Sequence, residues 1–143
     1  MHAGKHEVLL YGWFGEGNLG DELILSSMIR IVRNAMPQAK LSVMSSKPKE
    51  TSRLHFNEGL DGTISTYIDH RPRSIARACK YGIIQVCRNL FRPEIVVMAT
   101  GGALSDWNDA SAIPILDLIE FWAARGKMIF LFGIGAGPIS HKE

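Results

Sequence analysis

The distribution of apolar residues predicts alternating strands and helices. Short apolar runs without regular alternation predict five strands, over Glu7–Tyr11, Leu41–Met44, Gly62–Tyr67, Glu94–Thr100 and Lys127–Phe132. Apolar residues at helical spacing predict helices over Asp21–Met36, Pro72–Leu90 and about Ser111–Ala124. The stretch between the second and third strands is irregular and partly helical. Strands of this kind alternating with helices predict an α/β fold, a Rossmann-like doubly wound parallel sheet of about five strands.

Glycine-rich segments follow three of these strands. They occupy Gly12–Gly20 after the first strand, Gly101–Asp106 after the fourth and Gly133–Pro138 after the fifth. The carboxyl ends of parallel strands lie at one edge of a sheet, and open α/β sheets bind ligands beyond that edge. We therefore expect the three loops to share one rim and to form the binding site.

Composition and charge narrow the possible functions. The chain has 143 residues, 46% of them hydrophobic and 21% charged, which is typical of one soluble globular domain. The formal net charge of +2 is far from the strongly basic balance that indicates nucleic-acid binding. We therefore expect a single domain, residues 1–143, and no nucleic-acid partner.

Cysteine and histidine usage predicts neither a disulfide nor a metal site. Cys79 and Cys87, placed on one helix, lie about 12 Å apart, beyond disulfide reach. The five histidines show no metal-ligand spacing. The chain also lacks the apolar run of a secretory signal or a membrane span. These features predict a cytoplasmic protein.

The first glycine loop matches a dinucleotide-binding pattern. Gly15–Gly20 satisfies Gly-x-Gly-x-x-Gly between a strand and a helix. However, Asp21 and Glu22 place carboxylates at the helix N-terminus, where a pyrophosphate requires positive potential. Ser45–Lys47 has no acidic residue for a ribose hydroxyl but suits the 2′-phosphate of NADP. An NADP-dependent or glycosyltransferase domain stays open as an alternative.

The polar residues of this loop have two interpretations each. Asp21 is either the N-cap of the following helix or a carboxylate that accepts the proton of a sugar hydroxyl. Asn18 is either a turn residue in the left-handed conformation or a residue that orients the loop and ligand. The residues alone do not decide between a local structural role and a functional one.

Three motifs resemble those of the polysaccharide pyruvyl transferases. They are Tyr11–Glu22 (YGWFGEGNLGDE), Gly101–Asp106 (GGALSD) and Gly133–Ile139 (GIGAGPI), in matching order and spacing. Thr100 departs from the family pattern, where glycine is common, and so does Ser105, where an amide is often seen. The resemblance covers the family's N-terminal half, whose members resemble two-lobed GT-B-like proteins. It implies that the chain is truncated before a C-terminal lobe.

The resemblance implies transfer of pyruvate from phosphoenolpyruvate to sugar hydroxyls, as a ketal, in cell-surface polysaccharide synthesis. It implies no cofactor beyond this donor substrate and no metal. Phosphoenolpyruvate would bind through the missing lobe, so this half would take the sugar acceptor and be inactive alone. Asp21 is the predicted catalytic base or hydroxyl clamp. The predicted substrate-binding residues are Gly15, Asn18, Gly20, Glu22, Gly101, Gly102, Asp106, Gly133 and Gly135. The alternative is a non-catalytic sugar-binding or assembly module.

The predicted helix over residues 72–90 is basic. Residues 71–92 contain six Lys or Arg and no Asp or Glu. This helix is either a solvated outer face of the sheet protein or a peripheral contact with an anionic membrane surface, where lipid-linked sugar precursors are displayed.

Overall fold

The computed structural model describes residues 6–65, 92–99, 101, 104 and 113–137. The strands are β1 (Glu7–Tyr11), β2 (Lys40–Ser45), β3 (Gly62–Ser65), β4 (Ile95–Met98) and β5 (Met128–Leu131). The helices are α1 (Leu19–Ala35), α2 (Pro48–Leu54) and α3 (Ile113–Ala123). The five strands form one parallel sheet, in the order β3-β2-β1-β4-β5. The predicted α/β Rossmann-like arrangement is confirmed.

The strand order reverses direction at β1. After β1 the chain builds outward through β2 and β3, and then returns to place β4 on the other side of β1. Val8 pairs in register with Leu41 on one side and with Ile95 on the other. Such a switch point opens a crevice at the carboxyl ends of the central strands, which is where open α/β sheets bind ligands.

Apolar side chains cover the sheet on both faces. Alternate residues of β1 point to opposite faces, so Val8 and Leu10 enter one core and Leu9 the other. The first core includes the buried face of α1, namely Leu25, Met28, Ile29 and Val32. The second core is covered by α3, which contributes the buried residues Ile115 and Trp122. The prediction of a sheet covered on both faces is confirmed for the central strands.

The guanidinium of Arg33 holds the C-terminal end of α1 to the sheet. It donates to the carbonyl oxygen of Ala39 at 2.6 Å, to the carbonyl oxygen of Gly59 and to the Asp61 carboxylate at 2.6 Å. The same Asp61 oxygen accepts the Leu41 N–H at 2.7 Å. One side chain therefore links α1 to the beginning of β2 and to the segment that enters β3.

The first helix begins earlier than the sequence pattern predicts. It starts at Leu19 rather than Asp21, because Asn18 is the N-cap and its side chain accepts a hydrogen bond from the Gly20 N–H. Asn18 has an extended backbone, with φ −79° and ψ 114°. Two structural interpretations are therefore wrong: Asp21 is not the N-cap, and Asn18 is not a left-handed turn residue.

Other element boundaries differ by one or two residues from those predicted. The pairing of β4 with β5 runs only from Ile95–Met128 to Met98–Leu131, so both strands are shorter than their apolar runs. The irregular stretch after β2 contains the short helix α2, which starts at Pro48. The predicted helix over 72–90 lies outside the described residues, and so do Gly102, Asp106 and residues 66–67.

The apolar sequence of β5 predicts a buried strand, but this edge strand is largely exposed. Met128, Phe130 and Leu131 are each about half exposed, because among the described residues β5 has a pairing partner on one side only. Within the part of the chain that the structure describes, no helix is long and apolar enough to cross a membrane.

Two isoleucines of α1 test the assignment of its buried face. Ile29 is fully buried and Ile31 is 46% exposed. We expect Ile29→Ala to lower the free energy of unfolding by about 2–5 kcal/mol, because it leaves a cavity against the sheet. Ile31→Ala should change it by less than about 0.5–1 kcal/mol. Urea denaturation measures both, and equal losses would contradict the packing of α1 described above.

Candidate functional site

The carboxyl ends of β1, β4 and β5 lie side by side. The Ala99 N–H donates to the Tyr11 carbonyl oxygen at 2.9 Å, which joins the ends of β4 and β1. The Phe132 N–H donates to the Met98 carbonyl oxygen at 2.8 Å, which joins the ends of β5 and β4. The glycine segments that follow these strands therefore start from one rim, as the sequence predicts.

The second and third glycine loops pair with each other beyond the strands. The Gly135 N–H donates to the Gly101 carbonyl oxygen at 2.6 Å, and the Gly137 N–H donates to the Leu104 carbonyl oxygen at 2.9 Å. Leu104 and Ala136 form a parallel bridge. Gly101 and Gly135, both predicted to bind substrate, thus use these backbone groups to hold the two loops together. Gly133 lies at the same rim, two residues after the end of β5.

Gly15 packs against the loop that follows β2. It is buried, its φ is +89°, and a Cβ added there would clash with Ser45 Oγ and lie 2.8 Å from the Lys47 nitrogen. The neighbouring Phe14 carbonyl oxygen accepts the Ser46 N–H at 3.0 Å. Gly15 therefore allows the two loops to approach closely. This contact is sufficient to explain why a glycine stands at position 15, and no ligand contact is needed for it.

The Glu22 carboxylate is engaged on both of its oxygens. Oε1 accepts the Gly15 N–H at 2.9 Å, and Oε2 lies 2.9 Å from His55 Nε2. The side chains of Glu22 and His55 are 12% and 5% exposed. The sequence predicts Glu22 to contact substrate, but the structure places its carboxylate inside the protein, between the glycine loop and the end of α2.

A second carboxylate completes this cluster. Glu58 Oε2 lies 3.1 Å from His55 Nδ1, and Ser26 Oγ donates to the two oxygens of Glu58 at 2.6 and 2.7 Å. Burial raises the pKa of Glu58, but the hydrogen bonds from Ser26 and His55 and the nearby charges outweigh it, so the pKa is lowered overall. We refer to Glu22, Ser26, His55 and Glu58 as the buried histidine network.

Asp21 differs from Glu22 in its surroundings. It lies in the first turn of α1 and is partly exposed. Burial and the adjacent Glu22 charge raise its pKa, and a hydrogen bond with Asn18 opposes them in part. Asn18 thus contacts both the helix backbone and Asp21. Asn18, Gly20 and Asp21 lie together where the first glycine loop continues into α1, and we call this position the mouth of the loop.

The same contacts disfavour dinucleotide binding. A Gly-x-Gly-x-x-Gly loop binds pyrophosphate with free backbone N–H groups at a helix N-terminus. Here the Gly15 N–H is bonded to Glu22 and the Gly20 N–H to Asn18. Two carboxylates also occupy the first turn of α1. The geometry therefore gives no support to the NADP alternative at this loop.

Sequence reasoning did not identify His55, Glu58 and Ser26. His55 and Glu58 are three residues apart, but His55 and Glu22 are separated by 33 residues, and no local pattern signals this contact. Two exposed apolar side chains were also missed: Trp13 is 57% exposed in the loop after β1, and Leu19 is 73% exposed at the start of α1.

A small concavity lies at the amino ends of the strands, opposite the rim that carries the glycine loops. It has a volume of about 50 Å³ and is lined by residues at the amino ends of β1 and β2, including Glu7 and Lys40, and by Arg92. Ligand-binding pockets are typically about 300–1,000 Å³. The concavity is too small for a sugar, and it is remote from the glycine loops.

Two glycines of the first loop test how that loop is held. Gly15→Ala should lower the free energy of unfolding by about 3 kcal/mol, from backbone strain and from the clash with Ser45. Gly17 is the matched control, because its φ is +81° but nothing lies within 4 Å of an added Cβ. Gly17→Ala should cost only about 1 kcal/mol. Chemical denaturation of both variants measures the difference, and similar costs would contradict the packing of Gly15.

Comparison with known proteins identifies one family. The family model described as polysaccharide pyruvyl transferase matches residues 18–143, which is most of the chain. The searches of curated proteins and of solved structures return no match. The family match includes Asn18–Glu22 and the segments after β4 and β5. On the strength of that match, the chain belongs to the polysaccharide pyruvyl transferase family.

Proposed function

We propose that the protein transfers the pyruvyl unit of phosphoenolpyruvate to two hydroxyls of a sugar, and that the carboxyl edge of this domain binds the sugar. Family membership supports the reaction class. The observation that carries the assignment of the site is the contrast between two adjacent carboxylates, since Glu22 is engaged inside the protein and Asp21 is partly exposed beside Asn18.

Asp21 suits the role of acceptor base. A carboxylate whose pKa is raised holds a proton more readily than an ordinary one, which favours proton transfer from a hydroxyl. Asn18 contacts Asp21 and also caps α1, so it fixes the carboxylate relative to the helix. Because Glu22 is fully engaged, Asp21 is the first-turn carboxylate that remains for a ligand.

The proposed reaction balances with these groups. The first sugar hydroxyl oxygen bonds to C2 of phosphoenolpyruvate, and the methylene carbon takes a proton and becomes a methyl group. The second hydroxyl oxygen then displaces phosphate from the same carbon and closes the ketal. One of the two hydroxyl protons is balanced by the new methyl group and the other leaves with phosphate. Asp21 accepts a hydroxyl proton, and cations around the donor stabilise its phosphate and carboxylate.

The donor side of the cleft is part of the proposal. We assign the phosphoenolpyruvate contacts to a C-terminal lobe in a two-lobed GT-B-like arrangement, so that this domain alone is inactive. The reaction uses phosphoenolpyruvate as a substrate and no further cofactor. On the acceptor side, the exposed indole of Trp13 offers an apolar face of the kind that lines sugar and small-molecule sites.

The location of the acceptor belongs to the same proposal. Sugar precursors of cell-surface polymers are displayed on lipid carriers, so we propose a cytoplasmic protein with peripheral contact to an anionic membrane. The basic segment 72–90, which lies outside the described residues, would make that contact through its Lys and Arg side chains.

Asp21→Asn tests the proposed base, in the protein with its C-terminal lobe. We expect kcat/KM for the acceptor to fall by about 100-fold or more, because the amide cannot accept a hydroxyl proton. The free energy of unfolding at neutral pH should not fall, because a raised pKa means that folding disfavours the ionised carboxylate. Steady-state kinetics and urea denaturation measure the two effects.

Glu16→Gln is the matched control, since Glu16 is an exposed carboxylate in the same loop. It should leave both turnover and stability unchanged. The assignment of Asp21 is wrong if Asp21→Asn retains wild-type turnover and acceptor affinity, or if Glu16→Gln lowers turnover equally.

A further inference from the structure

We infer that His55 is a positioning residue for acceptor binding: it holds Glu22 so that the Glu22 carboxylate fixes the first glycine loop at Gly15. The inference rests on the proposed function for its acceptor-binding step. His55 itself is buried and bonded on both ring nitrogens, so it acts through Glu22 and does not touch the acceptor.

One carboxylate connects the imidazole to the loop. Glu22 Oε2 lies 2.9 Å from His55 Nε2, while Oε1 accepts the Gly15 N–H at 2.9 Å. Rotation of this carboxylate away from His55 would also move Glu22 Oε1 away from the Gly15 N–H. The position of Gly15 therefore depends on a side chain that is 40 residues distant in sequence.

The imidazole is fixed from its other side as well. His55 Nδ1 lies 3.1 Å from Glu58, whose carboxylate oxygens both accept from Ser26 Oγ. Glu22 and Ser26 are four residues apart on α1, so they lie on the same face of the helix. The network therefore joins the end of α2 to that face of α1 at two points.

The loop held in this way carries the proposed acceptor residues. Gly15 precedes Asn18 and Asp21 by a few residues, and Asp21 is adjacent to Glu22 on the chain. Without the contact at Gly15, the segment from Gly15 to Asn18 would be held less firmly. The positions of Asn18 and Asp21 would then be less well defined. We therefore expect the network to affect acceptor affinity more than the rate of the bound complex.

Two substitutions of His55 separate its two contacts. A glutamine amide nitrogen occupies about the position of His Nε2, so His55→Gln retains a donor toward Glu22. An asparagine amide nitrogen occupies about the position of His Nδ1, so His55→Asn retains a donor toward Glu58 and loses the one toward Glu22. Both variants replace the ring with a neutral amide, which makes each a control for the other.

The two readouts are hydrogen exchange at the Gly15 amide and, in the protein with its C-terminal lobe, the kinetics of the acceptor. In His55→Asn we expect exchange at Gly15 to accelerate and the acceptor KM to rise by about tenfold, the effect of one lost hydrogen bond, with a smaller change in kcat. In His55→Gln both values should stay closer to wild type. A merely structural role would move stability in both variants without separating them at Gly15 or in KM.

If His55→Asn does not fold, a milder pair of variants tests whether the buried histidine network holds Gly15. Ser26→Ala removes the donor that holds Glu58 and should accelerate Gly15 exchange by a smaller factor. Ser27→Ala is its control, because Ser27 Oγ is exposed and donates at 2.9 Å to the Leu23 carbonyl oxygen within α1. It should leave Gly15 exchange and the acceptor KM unchanged.

The outcomes distinguish this inference from the proposed function. Equal Gly15 exchange and equal acceptor KM in the two His55 variants, or in the two serine variants, overturn the role of His55 in a protein that turns over normally. Absence of acceptor-dependent turnover in the wild-type protein with its C-terminal lobe overturns the proposed function. If the wild-type protein shows no turnover, hydrogen exchange still tests the inference, and unchanged Gly15 exchange in His55→Asn would overturn it.

Discussion

The carboxylate of Glu22 is the contact on which the arrangement of the site depends. It takes the Gly15 N–H on one oxygen and His55 on the other, and so joins the first glycine loop, the first turn of α1 and the end of α2. A negative charge at this position also interacts favourably with the helix N-terminus. Because Glu22 is engaged in this way, the adjacent Asp21 is the first-turn carboxylate that we propose for the acceptor.

The sheet explains why such a local contact can have a functional consequence. The parallel strands bring the segments after β1, β4 and β5 to one rim, and the reversal of strand order at β1 places the first loop at the switch point. The second and third loops are paired with each other through Gly101 and Gly135. The first loop is held separately, against the end of β2 and by Glu22, and among the described residues of the rim it contributes the polar side chains Asn18 and Asp21.

Much of this fold is predictable from local sequence. Buried strands are marked by apolar runs, and the buried face of α1 is marked by apolar residues at helical spacing, such as Leu25 and Ile29. The boundary of α1 was predicted less well, because Asn18 and Asp21 are both good N-cap residues and only the folded loop decides between them. The exposure of β5 was missed, because an apolar run does not reveal whether its strand lies at an edge.

The site itself is only partly predictable. Glycine spacing locates the loops, and the family motif identifies Asn18 and Asp21. The pairing of Glu22 with His55 joins residues 33 positions apart, and long-range contacts between polar side chains leave no periodic signal in one sequence. This pairing accounts for Glu22 by contacts within the protein, whereas the sequence predicts a substrate contact, and it supplies the argument for proposing Asp21.

Amide chemical-shift mapping of this chain tests directly whether the mouth of the first loop binds sugar. The panel would contain hexosides, N-acetylhexosamines, phosphoenolpyruvate and NADP. We expect a sugar to shift the amides of Asn18, Gly20 and Asp21, while NADP leaves them unchanged. Shifts at this loop with NADP alone, or sugar-induced shifts confined to the opposite edge around Glu7 and Lys40, would contradict this expectation.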